Sequence, residues 1–279
     1  MRGVLALDIG GTNIRVAKVR ASKIGSCLKV PTPKTRQRFW REVVSQIKSY
    51  VGEAKLDGIC VSIAGFQRHG RIIYSPHLRY LEGCDVRRHL AQKFACKVWV
   101  ENDAHCAGLA ERYYGVGKRY KNFVMLTLGT GIGGAIFIDG KLYLGKGIGC
   151  EAGHMIICGK KFEDIASGRA SVEIARKHGL NMESLEVERL ARKGNKKALA
   201  VYREVGYNLG VGLANLVYIL DPEAIIIGGG FSRVKFIWKE MIKTMEKLDK
   251  AKRRVPVLKA KFGDDAGLVG AALLPRVHL

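Results

Sequence analysis

No apolar run in the 279 residues approaches the roughly 18 that a membrane-crossing helix needs, and the chain enters a hydrophobic strand at Val4 without the basic, apolar and small-residue regions of a secretory leader. A cytoplasmic location without a membrane partner is therefore expected. The cysteines, seven in number at positions 27, 60, 84, 96, 106, 150 and 158, contain no C-x-x-C pair. An odd, scattered set indicates neither a disulfide framework nor a thioredoxin-type motif, so the thiols are expected to be reduced and mostly buried. Proline- and serine-rich linkers are also missing. Acidic residues are scarce, 25 Asp and Glu against 48 Lys and Arg, for a formal net charge of +23. Such an excess raises the question of an anionic partner. The basic residues, however, lie in small dispersed groups at 34–41, 87–88, 160–161, 192–197 and 250–254, and no helix-turn-helix fits ahead of a strand that begins at Val4. The expectation is a solvated basic surface that attracts an anionic substrate, with no sequence-specific nucleic-acid binding.

What is present centres on residues 123–137, which read as strand, glycine turn and strand. Gly129, Gly131 and Gly134 satisfy G-x-G-x-x-G, but a dinucleotide-binding fingerprint should open a helix after its glycines, whereas Ala135-Ile136-Phe137-Ile138 is a β-type run ending in Asp139-Gly140. The pattern predicts a hairpin whose tip bares backbone N–H groups with no Cβ to keep a phosphate away, with hydroxyls from Thr127 and Thr130. The same device opens the chain: a strand ending Leu7-Asp8-Ile9, a turn at Gly10-Gly11-Thr12-Asn13, and a strand alternating Ile14, Val16 and Val19 with charged residues. Two such hairpins imply a duplicated architecture that grips one polyphosphate from both sides. At 279 residues, 47% of them hydrophobic, there is room and core for two domains.

Between the hairpins, Trp40, Val43, Val44, Ile47 and Val51 form a helical stripe, 58–65 is a buried strand ending in glycine, and Asp85 can cap a helix carrying Val86, Leu90 and Phe94. A strand at 97–100 then runs into Glu101-Asn102-Asp103 ahead of a helix at 104–114. Ligands of open α/β sheets collect at carboxyl ends of strands, so Asp103 is either a general base for a hydroxyl nucleophile or a simple helix cap. After the second hairpin, Glu151, His154 and Glu163 lie in a glycine-rich region, and two carboxylates with an imidazole suit the hydroxyls of a polyol, which need acceptors as well as donors. The stripe Val201, Val205, Leu209, Leu213, Leu216, Val217 and Leu220 predicts a long buried helix stopped by Asp221-Pro222. Then Ile225-Ile226-Ile227 runs into Gly228, Gly229 and Gly230, where backbone can press against a flat ligand such as adenine. A basic amphipathic helix over 234–250 and a small-residue helix over 266–274 complete the chain.

Leu7-Asp8-Ile9-Gly10-Gly11-Thr12-Asn13, Glu101-Asn102-Asp103-Ala104, Leu128-Gly129-Thr130-Gly131-Ile132-Gly133-Gly134, Glu151-Ala152-Gly153-His154 and Ile227-Gly228-Gly229-Gly230 together resemble the ROK family (repressors, open reading frames, kinases) of the actin/hexokinase/Hsp70 ATPase superfamily. The resemblance spans nearly the whole chain in the family's order. It implies a two-lobed, duplicated actin-like ATPase fold (ribonuclease H-like, α/β) with a cleft between the lobes. The lobes would be 1–104 on the sugar and phosphate side and 105–279 on the nucleotide side, with a terminal helix near 265–279 packing back on the first. It further implies an ATP- and magnesium-dependent hexokinase or glucokinase acting on the 6-hydroxyl of a hexose, and a homodimer. Asp8 would face the magnesium, through water, and the phosphates. Gly10, Gly11, Thr12, Asn13, Gly129, Thr130 and Gly131 would hold the phosphate tail, with Gly228, Gly229 and Gly230 near adenosine. Asp103 matches the catalytic base, and Gly65, Asn102, Glu151, His154 and Glu163 match sugar-contacting positions. The alternatives are an N-acetylhexosamine kinase and, from another class, a sugar-responsive regulator without kinase activity.

Two departures stand out. Many ROK proteins follow the Gly-His pair with a cysteine-rich segment that binds structural zinc, but here His154 is followed by Cys158-Gly159-Lys160-Lys161 and then Glu163. Cys150, His154 and Cys158 would make three ligands where a structural zinc takes four, so no zinc is expected. His77 also stands where the family often has Asn in its sugar loop.

Any association of the basic surface with duplex DNA is expected to arise from counterion release alone, so binding seen in a low-salt titration should vanish at physiological salt. Sequence-selective binding that persists there would favour the regulator.

Overall fold

A computed structural model of the protein describes residues 4–52 and 56–277, which fall into two compact units. Unit 1 comprises residues up to Gly115 together with Leu144–Gly149 and the chain from Asp264 onward, and unit 2 comprises Val116–Tyr143 and Cys150–Gly263.

Unit 1 begins with β1 (Val4–Ile9), β2 (Asn13–Arg20) and β3 (Lys23–Pro31), an antiparallel meander. The third strand, whose Ile24, Leu28 and Val30 alternate with polar residues, is an addition to the two-stranded hairpin expected from sequence. Helix α1 (Arg36–Val51) follows, burying Phe39, Val43 and Ile47. Phe39 takes the core position expected of Trp40, whose indole stacks instead on His89 at 3.8 Å. Strand β4 (Gly58–Ile63), every residue of which is buried, leads through the short pair β5 (Phe66–Arg68) and β6 (Arg71–Tyr74) to helix α2 (Val86–Phe94), capped by Asp85 accepting from the Arg88 N–H. Strand β7 (Lys97–Asn102) passes directly into helix α3 (Asp103–Tyr114).

Unit 2 repeats the plan. Strands β8 (Phe123–Leu128), β9 (Ile132–Ile138) and β10 (Lys141–Leu142) form its meander, and β11 (Ile156–Ile157) with β12 (Lys160–Lys161) a small ribbon. Helices α4 (Phe162–Ala166), α5 (Gly168–Lys177) and α6 (Ser184–Arg192) then pack on the long α7 (Lys196–Leu220). Asn195 caps α7 by accepting from the Ala198 N–H, and Asp221 ends it in the left-handed region at φ 42°, just before Pro222. Buried strand β13 (Ala224–Gly228), helix α8 (Trp238–Leu248) and strand β14 (Val257–Lys259) complete the unit.

The strand orders are β3-β2-β1-β4-β7 and β10-β9-β8-β13-β14. In each, three antiparallel strands are extended by two parallel ones, β4 and β7 or β13 and β14. The duplication inferred from the two hairpins is thus a duplication of sheet topology, and each sheet carries its own hydrophobic core. The last part of the chain returns to unit 1 as α9 (Ala266–Ala271), packed on β1, β4 and α3, and α10 (Leu274–Val277). A turn at 272–273 separates these two, where one helix was expected, and the rest of that expected helix, 278–279, lies outside the described residues.

The cysteines depart from expectation. Only Cys60 and Cys106 are buried, Cys27 and Cys158 are exposed, and all seven are free thiols. The 2.0 period of β3 leaves Cys27 on the solvent side of an edge strand, a placement that composition does not reveal.

In unit 2, α8 approaches α7 along a groove made by Gly206 and Gly210, one turn apart. A Cβ at Gly210 would stand 2.6 Å from the Met241 carbonyl oxygen, and one at Gly206 2.6 Å from that of Ile237. Backbone is touching backbone there. Gly210→Ala gains about 1 kcal/mol of helix propensity but incurs about 1–3 kcal/mol of overpacking. A lower melting temperature is the expected result, and an unchanged or raised one would mean that α8 is free to move off α7.

Candidate active site

The tip of the β1–β2 hairpin is braced from behind. Gly10 N–H donates to Asn13 O at 3.0 Å, closing the turn, while the carbonyls of Gly10, Gly11 and Thr12 accept from Thr32 Oγ1 (2.7 Å), Lys34 Nζ (2.8 Å) and Thr32 N–H (2.9 Å). Within one trans peptide the C=O and the next N–H point in opposite directions. Engaging these carbonyls therefore turns the N–H groups of Gly11, Thr12 and Asn13 away from residues 32–34, as an anion cradle requires. His77 limits the tip, since a Cβ on Gly11 would stand 2.6 Å from its Cβ.

Just before the turn, Asp8 is half-buried and accepts from Ser62 Oγ at 2.8 Å. Gly267 of α9 lies so close that a side chain there would meet the carboxylate carbon at 2.6 Å. Burial raises the Asp8 pKa, against the opposing pull of the Ser62 hydroxyl and the Arg15 guanidinium. Arg15 is itself held by Asp265 at 2.5 Å, which ties β2 to the segment leading into α9.

The junction of β7 and α3 settles which side chain caps the helix. Asn102 Oδ1 accepts from the N–H groups of Ala104 (2.8 Å) and His105 (3.1 Å), and its Nδ2 donates to Gly65 O at 3.0 Å. The cap is Asn102. Asp103, the first helical residue, shares the Ala104 N–H at 3.0 Å and keeps its side chain exposed. Its pKa is nevertheless pushed up to about 6, first by the mass of protein around it and then by the nearby Asp8 charge, with the Ala104 N–H and His105 pulling the other way. Gly65, at φ 121°, must be glycine, because a Cβ would stand 2.6 Å from Tyr74 O.

Unit 2 uses the same bracing. Gly129, Thr130 and Gly131 span the tip between the paired Leu128 and Ile132. The Gly129 carbonyl accepts from Gly168 N–H at 2.9 Å and that of Thr130, more weakly, from Arg169 N–H at 3.4 Å, which turns the N–H groups of Thr130 and Gly131 the other way. Glu163 lies against Gly131 and accepts from Ile132 N–H at 3.3 Å. The turn carrying Glu151 and His154 packs on the same strand, Gly153 against the Ile132 carbonyl and Ala152 against Gly134. Glu151, His154 and Glu163, separate in sequence, are thus gathered at the start of β9. At the carboxyl end of β13, Gly228 is packed by Met125 and Ala260, Gly229 takes φ 81° against the Leu128 backbone, and a Cβ on Gly230 would meet open space.

Unit 1 therefore assembles Asp8, Gly10, Gly11, Thr12, Asn13, Gly65, Asn102 and Asp103, and unit 2 assembles Gly129, Thr130, Gly131, Glu151, His154, Glu163, Gly228, Gly229 and Gly230. Sequence reasoning missed Ser62, Lys34 and Gly267, and in unit 2 a recess in which Gly129 and Thr130 meet Arg169, Val172, Arg176 and Phe231. Gly168 and Phe231, next to the glycines of Ser167-Gly168 and β13, were the available signals; Arg169 and Val172 are ordinary α5 residues in the sequence.

Among the described residues no three His, Cys, Asp or Glu side chains are grouped as a metal site, and Cys150, His154 and Cys158 do not form one. Asp8 suits a magnesium ion that arrives with a nucleotide, because Mg²⁺ keeps several waters and needs only one or two carboxylates plus phosphate oxygens. Among the described residues no helix is long and apolar enough to cross a membrane.

Matched mixed sheets with glycine hairpins define an α/β protein of the actin-like ATPase fold. More narrowly, the chain belongs to the ROK family, which it matches over residues 4–277. It is similar to a glucokinase of Streptomyces coelicolor, 30% identical over 314 aligned positions that cover 98% of this chain and 97% of the relative. It is also similar to an N-acetyl-D-glucosamine kinase of Haemophilus influenzae, 28% identical with 96% and 97% covered. The crystal structure of a ROK family glucokinase from Streptomyces griseus in complex with glucose and AMPPNP superposes with a TM-score of 0.85 at 30% identity, covering 98% of each chain.

The Asp103 carboxyl should titrate with a midpoint near 6 when followed by its carboxyl carbon shift, and Asp8→Asn should lower that midpoint by removing a like charge. Because the folded pKa lies above the ordinary 3.8, the native state binds this proton more tightly, so the group's contribution to stability falls as pH rises from about 4 to 6. A midpoint near 4 in the intact protein would remove the electrostatic basis of the assignment.

Proposed function

We propose that the protein is an ATP-dependent sugar kinase that transfers the γ-phosphoryl group to the 6-hydroxyl of a hexose, with glucose as its acceptor. The observation that carries this reading is the Asp103 carboxylate. It stands exposed at the end of β7 with a pKa near 6, while Asn102 caps the helix, so Asp103 is available as a base at neutral pH.

Phosphoryl transfer asks for orientation and charge stabilisation more than for covalent chemistry. The outward N–H groups of Gly11, Thr12, Thr130 and Gly131 supply fixed donors to phosphate oxygens without reorganising during reaction. Asp8, held by Ser62, would take the nucleotide's magnesium through water. When bound there, the ion would supply positive charge to offset the charge that develops on the transferred phosphoryl group. Gly229 and Gly230 bring backbone to the adenosine, beside Phe231. On the sugar side, Glu151, His154 and Glu163 accept from and donate to hydroxyls. Asn102, with one amide hydrogen engaged by Gly65, offers the other. Asp103 accepts the proton of the attacking 6-hydroxyl and passes it to solvent.

Glucose is supported by the similarity to two Streptomyces glucokinases, one solved with glucose. The similarity to the N-acetyl-D-glucosamine kinase favours an N-acetylhexosamine as the second reading.

A coupled assay with magnesium-ATP over a panel of hexoses and N-acetylhexosamines tests both. Glucose is expected to give the highest kcat/KM, and no turnover with any sugar would overturn the kinase reading. Asp103→Asn keeps shape and hydrogen bonding but cannot take a proton. Its kcat should fall by about 10²–10⁴-fold while sugar binding and the melting temperature stay near wild type, since the cap is Asn102. Near-normal turnover would sink the base assignment.

A further inference from the structure

One buried imidazole at this end of the sheet has no part in phosphoryl transfer. His105, on the first turn of α3, and Glu101, near the end of β7, have side chains only 3% and 4% exposed. The Nδ1–H of His105 donates to Glu101 Oε1 at 3.1 Å and its Nε2–H to the Gly149 carbonyl at 3.2 Å. Both partners are acceptors, so the ring satisfies both only by donating from both nitrogens, as an imidazolium with the Glu101 carboxylate as its counter-charge. Glu101 Oε1 also accepts from Gln67 Nε2 (2.7 Å) and Asn102 N–H (2.6 Å), and Gln67 Oε1 accepts from Gly70 N–H (2.8 Å). The histidine therefore sits in a frame that fixes it from β5, β7 and α3 at once.

Its Nε2 side holds a strap. Leu144–Gly149 belongs to unit 1, although Tyr143 and Cys150 on either side belong to unit 2. The strap curls on itself, Gly147 and Gly149 N–H both reaching Leu144 O at 2.8 and 2.9 Å, and Gly147, at φ 102°, lies against the Arg68 side chain. Gly149 stands two residues before Glu151 in the chain.

We propose that His105 is a positioning residue that pins the Leu144–Gly149 strap to helix α3 and so fixes the chain entering the Glu151–His154 turn, setting sugar affinity without touching the sugar. The affinity part rests on the kinase reading above; the pin itself does not.

Two substitutions separate the ends of the ring. The amide nitrogen of Asn falls near the Nδ1 position and that of Gln near Nε2, so His105→Asn keeps the bond to Glu101 and loses Gly149, and His105→Gln does the reverse. Lys146 is exposed within the strap and marks it for trypsin, the cut being identified by fragment mass. His105→Asn should be cleaved after Lys146 under native conditions roughly tenfold or more faster than wild type, the change expected from losing one buried charge-assisted hydrogen bond. Its sugar KM should rise by a similar factor with the ATP KM unchanged, and His105→Gln should restore both. Equal behaviour of the two variants, or wild-type cleavage of His105→Asn, would overturn the pin. If His105→Asn does not fold, the imidazole ¹⁵N spectrum of the wild type decides: a protonated Nε2 at neutral pH supports the pin, and an Nε2 without its proton refutes it. A wild type without kinase activity would fail the functional reading while the cleavage result still stood.

Discussion

A peptide unit cannot turn its N–H toward a ligand without turning its C=O toward something else, and the structure depends on how that second requirement is met. In unit 1 the carbonyls of Gly10, Gly11 and Thr12 are taken by Thr32 and Lys34, residues of the chain leaving β3. In unit 2 the carbonyls of Gly129 and Thr130 are taken by the first N–H groups of α5. The two solutions differ in chemistry and agree in result. Each hairpin tip presents amide hydrogens in a fixed direction, and a Cβ on Gly11 or Gly131 would collide with His77 or Glu163.

The second constraint is electrostatic. Asp8 and Asp103 come from β1 and from the start of α3, two strands apart in the same sheet, and the Asp8 charge adds to the cost of ionising Asp103. In the proposed function, a cation carried in beside Asp8 would relieve that repulsion, and Asp103 would be the carboxylate that takes a proton. Because Asn102 caps α3, the Asp103 carboxylate is left exposed. Glu101, His105 and Gln67 form a buried polar network in which both nitrogens of His105 and both amide ends of Gln67 are hydrogen-bonded, the condition under which buried polar groups hold a single arrangement.

Charge on the surface plays a separate part. The excess of 48 basic over 25 acidic residues is dispersed over helices and edge strands, and long-range attraction of an anionic nucleotide needs no more structure than that. In the proposed function, specific binding falls to the hairpins and carboxylates, where geometry rather than net charge selects.

The sequence by itself determined the α/β class, the two glycine hairpins and their duplication, the long helix ending at Asp221-Pro222 and the ROK resemblance, because these rest on local periodicity and on glycines whose backbone role is local. Strand β3 was missed because its alternation is weak on an edge strand, and the Phe39 and Trp40 positions were exchanged because helical spacing gives a stripe without saying which flank faces the core. Which of Asn102 and Asp103 caps α3 could not be read either, since Asp and Asn at adjacent positions are equally good caps; the Asn102 side chain, oriented by its bond to Gly65, takes the Ala104 and His105 N–H groups. Contacts across long stretches of chain, Gly267 on Asp8, Glu163 on Gly131 and His105 on Gly149, were likewise decided only by the tertiary structure. They carry no periodic signal, because each depends on where two separately stable pieces of backbone come to rest, and burial of the surrounding apolar surface sets that.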